Sequence, residues 1–190
     1  MMLRKILVIS LMSVTSIAAA DTLDIGLSNT TAQFKYGVAS GLAGKSEIYA
    51  ELMYNDKNSV IGGVGLLVAN DEISVPGLTI GVGAKAVVSS INKIAPSRKN
   101  SSAVALGAQV RYELPAERRV AFAGEFYFAP AIITFGDANR YQQYGARAEF
   151  SVSPQLQVYG GYRKTWFNMS GTGADAVLIN GPHLGVQFSF

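Results

Sequence analysis

The sequence predicts an all-β protein, an antiparallel transmembrane β-barrel of ten strands, with eight strands as the alternative. From Thr22 onward apolar and polar residues alternate with a period of two, the pattern of a strand whose two faces differ. Five of the six prolines fall between the alternating runs, and Pro182 begins one, as expected because proline cannot donate to a strand ladder. Beyond the first twenty residues, no stretch repeats its apolar residues at helical spacing.

Ten alternating runs divide the chain, separated by clusters of Gly, Pro, Asn, Asp and Ser. They are 22–28, 32–40, 46–54, 59–69, 78–89, 102–113, 119–129, 140–152, 155–166 and 182–190. The first two runs are short and closely joined, which keeps the eight-strand alternative open. The fourth run is apolar or glycine on both faces, so the sequence does not determine whether Ile61 and Leu67 face inward or outward.

Residues 1–20 have the composition of a secretory signal peptide. Arg4 and Lys5 precede an apolar run, and the segment ends in three alanines that form an A-x-A cleavage site. The apolar run is shorter than the roughly 20 residues that a membrane helix needs. We therefore predict cleavage and a single barrel domain over 21–190. Cleavage removes two cations from a net charge of only +3, so the mature chain offers no basic surface for nucleic acid.

One face of the runs is charged and the other is apolar. By parity the charged face carries Asp24, Lys35, Glu47, Glu51, Lys85, Arg111, Glu113, Glu125, Arg147, Glu149 and Arg163. Charges inside a narrow barrel must be paired or hydrogen-bonded, and the near balance of signs predicts a largely ion-paired lumen. The apolar face is rich in Ala and Gly, with aromatic residues near the run ends, which is typical of a surface that faces lipid.

Connection lengths indicate the kind of membrane. Three connections at one end, 90–101, 130–139 and 167–181, are long, and those at the other end are shorter. This alternation is typical of bacterial outer-membrane barrels, whose long loops are extracellular. We therefore predict location in the bacterial outer membrane, in contact with its lipid.

The last run extends to the end of the sequence without a polar tail. Its apolar face carries Leu184, Val186, Phe188 and Phe190. We expect this run to close the barrel against run 22–28. By resemblance to outer-membrane proteins in general, the same four residues are expected to form the signal that the barrel assembly machinery reads.

Several short phrases give the chain a family resemblance. The phrases are "GVGAKAVV" from Gly81, "GEFYFAP" from Gly124, "GGYR" from Gly160 and "LGVQFSF" from Leu184. The signal peptide, the length of the mature chain and the spacing of the strands add to them. In these features the chain resembles the YfaZ family of outer-membrane proteins, over essentially all of its mature length. The resemblance implies an outer-membrane barrel and brings no catalytic residues.

The sequence favours a structural barrel or a narrow passive channel over an enzyme. Around eight strands a barrel is filled by its own side chains, and ten lie near that limit. One alternative is a small lipid-modifying enzyme, in which the lone His183 would act beside Ser170 and Asp175. Another is a soluble periplasmic barrel that binds an apolar ligand. We expect no metal or other cofactor, since the chain has one histidine and no cysteine, and the sequence gives no oligomeric state.

Overall fold

The computed structural model describes residues 21–42, 45–91, 99–170 and 175–190. The predicted signal peptide, residues 1–20, lies outside these ranges. The strands are β1 (Thr22–Ser28), β2 (Thr31–Ala39), β3 (Lys45–Asn55), β4 (Val60–Asn70), β5 (Leu78–Ile91), β6 (Lys99–Glu113), β7 (Val120–Ala129), β8 (Thr134–Gly136), β9 (Ala138–Ser151), β10 (Leu156–Met169) and β11 (Asp175–Ser189). A single 3-10 turn, Ala131–Ile133, precedes β8. None of the described helical segments is long and apolar enough to cross a membrane.

Ten long strands form one antiparallel sheet that closes on itself. Each long strand pairs with the next in sequence, with the short β8 left out of the circuit, and β11 returns to pair with β1. This closing ladder runs from Thr22↔Ser189 to Ser28↔His183, and the backbones of Asp21 and Phe190 exchange two further hydrogen bonds of 2.9 and 3.0 Å. The predicted ten-strand barrel is confirmed, and the eight-strand alternative is wrong.

The two ends of the barrel differ in what they carry. The terminal end carries Asp21 and Phe190, and the hairpin end is the opposite one, where β1 turns into β2, β3 into β4, β5 into β6 and β10 into β11. Between them the outward face is apolar, with Val82 62% exposed, Leu106 61% and Phe126 51%. A soluble barrel has the reverse arrangement, because its apolar face forms the core. The soluble periplasmic alternative is therefore wrong.

The orientation of β4, which the sequence left open, is settled by packing. Ile61 is buried inside the barrel, whereas Val64 points outward and is 58% exposed. Gly65 faces the lumen opposite Tyr49, and a Cβ on Gly65 would lie 2.4 Å from the tyrosine ring. Only glycine therefore admits the Tyr49 ring at this level of the wall.

Strands at the hairpin end are longer than the alternation predicts. Most of the predicted loop 167–181 belongs to β10 and β11, whose ladder reaches Asn168↔Asp175. Pro182 consequently lies inside β11 and does not begin it. The proline is tolerated because β1 stops pairing at Ser28↔His183, so that edge of β11 has no partner strand at Pro182.

The other two long connections are also shortened by pairing. β5 and β6 extend to Ile91↔Lys99, so the predicted loop 90–101 is mostly strand outside 92–98, which the structure does not describe. The predicted loop 130–139 contains the 3-10 turn and β8. β8 pairs with β6 from Ser101↔Gly136 to Ala103↔Thr134. It thereby covers the part of β6 that extends past the end of β7.

A bulge in the β10–β11 ladder turns an extra side chain inward. The pairing shifts between Thr165↔Ile179 and Trp166↔Val177, which leaves Leu178 without an opposite residue. The consecutive residues Leu178 and Ile179 are both buried as a result, at 4% and 6% exposure. The carbonyl of Leu178 accepts a 3.2 Å hydrogen bond from Asn55 Nδ2 of β3. The bulge therefore helps to fill the lumen at the hairpin end.

Candidate functional site

The structure places all eleven charged residues that the sequence assigned to the lumen in ion pairs with one another. The pairs are Lys35–Glu47, Glu51–Lys85, Arg111–Glu113, Arg111–Glu149, Asp24–Arg147, Arg147–Glu149 and Glu125–Arg163. The partners stand on eight different strands, and the Asp24–Arg147 pair joins β1 to β9 across the barrel. Four of these seven pairs join strands that are not neighbours in the sheet and so bridge part of the interior.

The deepest charges form a layer around Lys85, called the Lys85 layer below. The Lys85 ammonium donates hydrogen bonds of 2.8 Å to Glu51 Oε1 and to Gln143 Oε1. It also lies 4.7 Å from the centre of the Tyr127 ring. The Lys85 and Glu51 side chains are only 1% and 4% exposed. Such burial is tolerated because each charge is both paired and hydrogen-bonded.

Gln143 joins the Lys85 pair to a second buried ion pair. Its Oε1 accepts from the Tyr141 hydroxyl at 2.6 Å, and its Nε2 donates to Glu125 at 2.8 Å. Glu125 in turn lies 2.9 Å from Arg163 Nε, and Arg163 donates to Gln33. Sequence reasoning did not single out Gln143 or Gln33. The alternation along β9 could have identified Gln143, because Gln143 lies on the same face of the strand as Arg147 and Glu149.

A second charged layer lies nearer the terminal end. Arg147 is 3.0 Å from Asp24 and 2.7 Å from Glu149, and Arg111 is 2.8 Å from the other oxygen of Glu149. The Tyr159 hydroxyl donates to Asp24 at 2.5 Å. Each carboxylate here accepts from two donors, so the guanidinium groups are held in fixed positions.

The Lys35–Glu47 pair, at the opening of the terminal end, is looser. Lys35 Nζ is 3.6 Å from Glu47, and their side chains are 22% and 26% exposed. Glu47 also accepts from the Thr22 hydroxyl at 2.8 Å, while the Lys35 ammonium lies 4.2 Å from the Tyr49 ring centre. Water reaches this pair, which weakens its attraction relative to the Lys85 layer.

The hairpin half of the lumen holds an apolar plug. Its members are Met53, Ile61, Val87, Ile91, Ala103, Ala105, Tyr127, Ala129, Ala138, Tyr141, Phe167, Met169, Ala176, Leu178 and Ile179. The Tyr141 and Phe167 rings pack with centroids 4.9 Å apart, and Phe167 is completely buried. The ion pairs thus lie in the terminal half, whereas the hairpin half contains packed apolar side chains that the sequence analysis did not identify.

His183, Ser170 and Asp175 are not brought together. His183 packs edge-on against Tyr159, with ring centroids 5.7 Å apart, and its two ring nitrogens have no hydrogen-bond partner within the described ranges. Asp175 lies eight residues before His183 on β11, about 26 Å away at the usual rise of a strand, and accepts from Asn168. Ser170 donates to Asn139. Within the described ranges, no cluster of His, Asp and Glu side chains suits a metal ion either.

The face proposed as an assembly signal lies on the outside of the barrel. Leu184 is 71% exposed and Phe190 is 66% exposed, with Phe188 at 39% between them. Val186 alternates with them on the same face of β11 and pairs with Ile25 of β1. These side chains are available to lipid or to another protein.

Exposed ion pairs hold the connections at both ends. At the terminal end, a hydrogen bond from Lys45 lowers the pKa of the Asp71 carboxyl. At the hairpin end, the Asn100 backbone N–H at 3.0 Å and the Lys99 ammonium at 3.2 Å lower the pKa of Asp137. The Asp137 contacts tie the chain between β8 and β9 to the start of β6.

Comparison with known proteins assigns the chain to a family. A family model described as "YfaZ precursor" matches residues 2–190. The protein named "Outer membrane protein YfaZ" of Escherichia coli (strain K12) is 27% identical over 139 residues, which cover 72% of this chain and 71% of that protein. A solved structure titled "KdgM porin" covers 90% of this chain and 99% of its own, with a TM-score of 0.45 and 10% identity. On the family match over nearly its whole length, the chain belongs to the YfaZ family and is an outer-membrane β-barrel protein.

Proposed function

We propose that the protein is a structural barrel of the outer membrane that does not conduct solutes. The observation that carries this proposal is the apolar plug, in which Tyr127, Tyr141, Phe167, Met53 and Ile61 are each less than 2% exposed. Ions and water need a continuous polar path, and a close-packed apolar layer interrupts it. The fully paired Lys85 layer next to the plug adds a second barrier.

Planar bilayer recording tests this proposal. Purified protein is expected to insert without steady, discrete openings. The matched control is the double variant Tyr141→Ala, Phe167→Ala, which removes two rings in contact with each other and should produce measurable conductance. Wild-type openings as large and frequent as those of the double variant would contradict the proposal.

A narrow passive channel is the second candidate. It is supported by a cavity of about 240 Å³ that reaches from the terminal opening to the Lys85 layer, half the way through the barrel. On this alternative the plug opens transiently. The wild-type protein then shows brief current openings at a voltage at which a protein-free bilayer shows none.

We also propose two partners, outer-membrane lipid around the apolar belt and the barrel assembly machinery at the C-terminal strand. The second is supported by the exposure of Leu184 and Phe190 on the outward face. Two variants separate recognition from barrel closure, since Phe190→Ala keeps the backbone bonds to Asp21 whereas deletion of Phe190 removes them. Both are expected to lower the amount of heat-modifiable protein in the outer membrane. Normal levels of Phe190→Ala would show that the side chain is not read.

A further inference from the structure

A cavity that opens at the terminal end occupies the terminal half of the lumen. It measures about 240 Å³ and is lined at its entrance by Thr22, Glu47 and Arg111. At its inner end Tyr49 and Tyr127 meet, with their hydroxyls 3.3 Å apart, beside the buried Lys85. The apolar plug lies beyond them, on the hairpin side of the cavity. The cavity has the form of a binding site.

The charges on its wall do not favour an ion. The lining residues include five cations and five carboxylates, and every one of them is already paired inside the barrel. A charged ligand would therefore have to displace an internal partner or enter without a counter-charge, and either is costly.

The wall does offer unused hydrogen-bonding groups of both kinds. The Lys35 ammonium is 3.6 Å from its carboxylate, beyond hydrogen-bond length, so its donors are available. The Gln187 carbonyl accepts from Arg147, which leaves the Gln187 amide NH₂ as a donor. The Gln109 NH₂ donates to Tyr127, which leaves the Gln109 carbonyl as an acceptor. A hydroxyl group suits such a wall because it can both donate and accept.

The wall also carries apolar residues, and these lie beside its polar groups. Leu67 and Ala69 of β4, Gly81 of β5 and Ala123 of β7 line it. These residues have no polar side-chain atoms, so they can contact only the carbon–hydrogen surface of a ligand. Leu67 pairs with Glu47, Gly81 with Gln109 and Ala123 with Arg111 across neighbouring strands, so a bound molecule would present both hydroxyl groups and carbon–hydrogen surface to the same wall.

We propose that this cavity binds a small, uncharged, polyhydroxylated molecule of about the size of a monosaccharide, which enters from the terminal end. The size follows from volume, since an apolar cavity of about 150 Å³ accommodates benzene and this one, at about 240 Å³, leaves room for ring substituents. For a ligand of this size we expect a dissociation constant on the order of a millimolar. The proposal goes beyond the proposed function and does not depend on whether the barrel conducts.

Saturation-transfer NMR with glucose tests the site, in a detergent that has no sugar headgroup. Glucose is expected to receive saturation from the wild-type protein, and glucosamine and glucuronate, which carry opposite charges on the same ring, at least fivefold less. This comparison needs no variant. Equal or stronger binding of either charged sugar, or no transfer to glucose at tens of millimolar, would overturn the proposal.

A matched pair of variants locates the binding. Ala69→Phe fills the cavity, and transfer to glucose should disappear. Val68→Phe adds the same ring to the neighbouring residue, which pairs with the lipid-facing Val82, and should leave transfer unchanged. Heat-modifiable gel mobility establishes that both variants are folded. Equal transfer from the two folded variants would place glucose outside the cavity and contradict the proposal.

Discussion

The terminal half of the lumen and the hairpin half are lined by the same ten strands but filled by different chemistry. In the terminal half, charges meet in pairs, some of them from strands that are not neighbours in the sheet, and line a cavity of about 240 Å³. In the hairpin half, aromatic and aliphatic side chains such as Tyr141 and Phe167 pack with their rings in contact. Strand alternation thus decides which residues face inward, while the identity of those residues decides whether a given level is polar or closed.

The largest effect is expected where the two halves meet. Lys85→Met removes the cation and leaves Glu51 buried without compensation, which should lower the free energy of unfolding by ~4 kcal/mol. Urea unfolding in lipid vesicles measures this loss. The control is the double variant Lys85→Met, Glu51→Gln, which has no unpaired charge and should recover most of the stability. A single variant as stable as the wild type would contradict the central place given to this pair.

Inside the apolar plug, a truncation should be costly only on the inward face. Met53→Ala deletes a side chain that is 2% exposed and should destabilise the barrel by ~3 kcal/mol, because a cavity is left behind. Its neighbour Leu52 points outward and is 49% exposed, so Leu52→Ala should cost clearly less. The two unfolding curves, measured in the same vesicles, check the difference. Equal losses would mean that lipid contact and plug contact are equivalent.

A lysine-to-methionine substitution at the terminal opening, in contrast to Lys85→Met, should have little effect. Lys35→Met removes a cation from a pair separated by 3.6 Å and partly exposed to water, so we expect a loss of ~0.5 kcal/mol. Salt should reduce even this difference. Unfolding at low and high ionic strength measures it. A loss comparable to that of Lys85→Met would contradict the gradient of burial along the lumen.

The smallest effect is expected outside both halves, at Asp137. Its pKa is lowered by the Asn100 N–H and Lys99, so its contribution is present above its unfolded pKa and is lost as the pH falls through the lower, folded pKa. Amide hydrogen exchange at Asn100 should therefore accelerate on acidification. The variant Asp137→Asn should exchange rapidly already at neutral pH. If the exchange rate of the Asn100 amide in the wild type, corrected for the intrinsic pH dependence of exchange, does not change with pH, this role of Asp137 is contradicted.

Parity along each strand predicted much of the fold, and for a physical reason. Lipid-facing and lumen-facing residues alternate along each strand. The polarity of a single residue, such as Lys85 or Val82, therefore indicates which way its side chain points. Pairing could not be predicted in the same way, because partners such as Asp24 and Tyr159 lie 135 residues apart. The extension of β10 and β11 and the bulge at Leu178 were not predicted, because Asn180, Gly181 and Pro182 are residue types that are typical of loops. They are strand because β10 pairs there.

The ladder between β1 and β11 also determines the order in which the protein can fold. It joins Leu23 to Phe188, which lie 188 − 23 = 165 residues apart in the sequence. The loop entropy of joining such distant residues must be overcome before the barrel has closed. Asp24 cannot meet Arg147, nor Tyr159 meet Asp24, until the last strand has been synthesised. Closure therefore requires that β11 has been synthesised, and the charged half of the interior is completed in the same step.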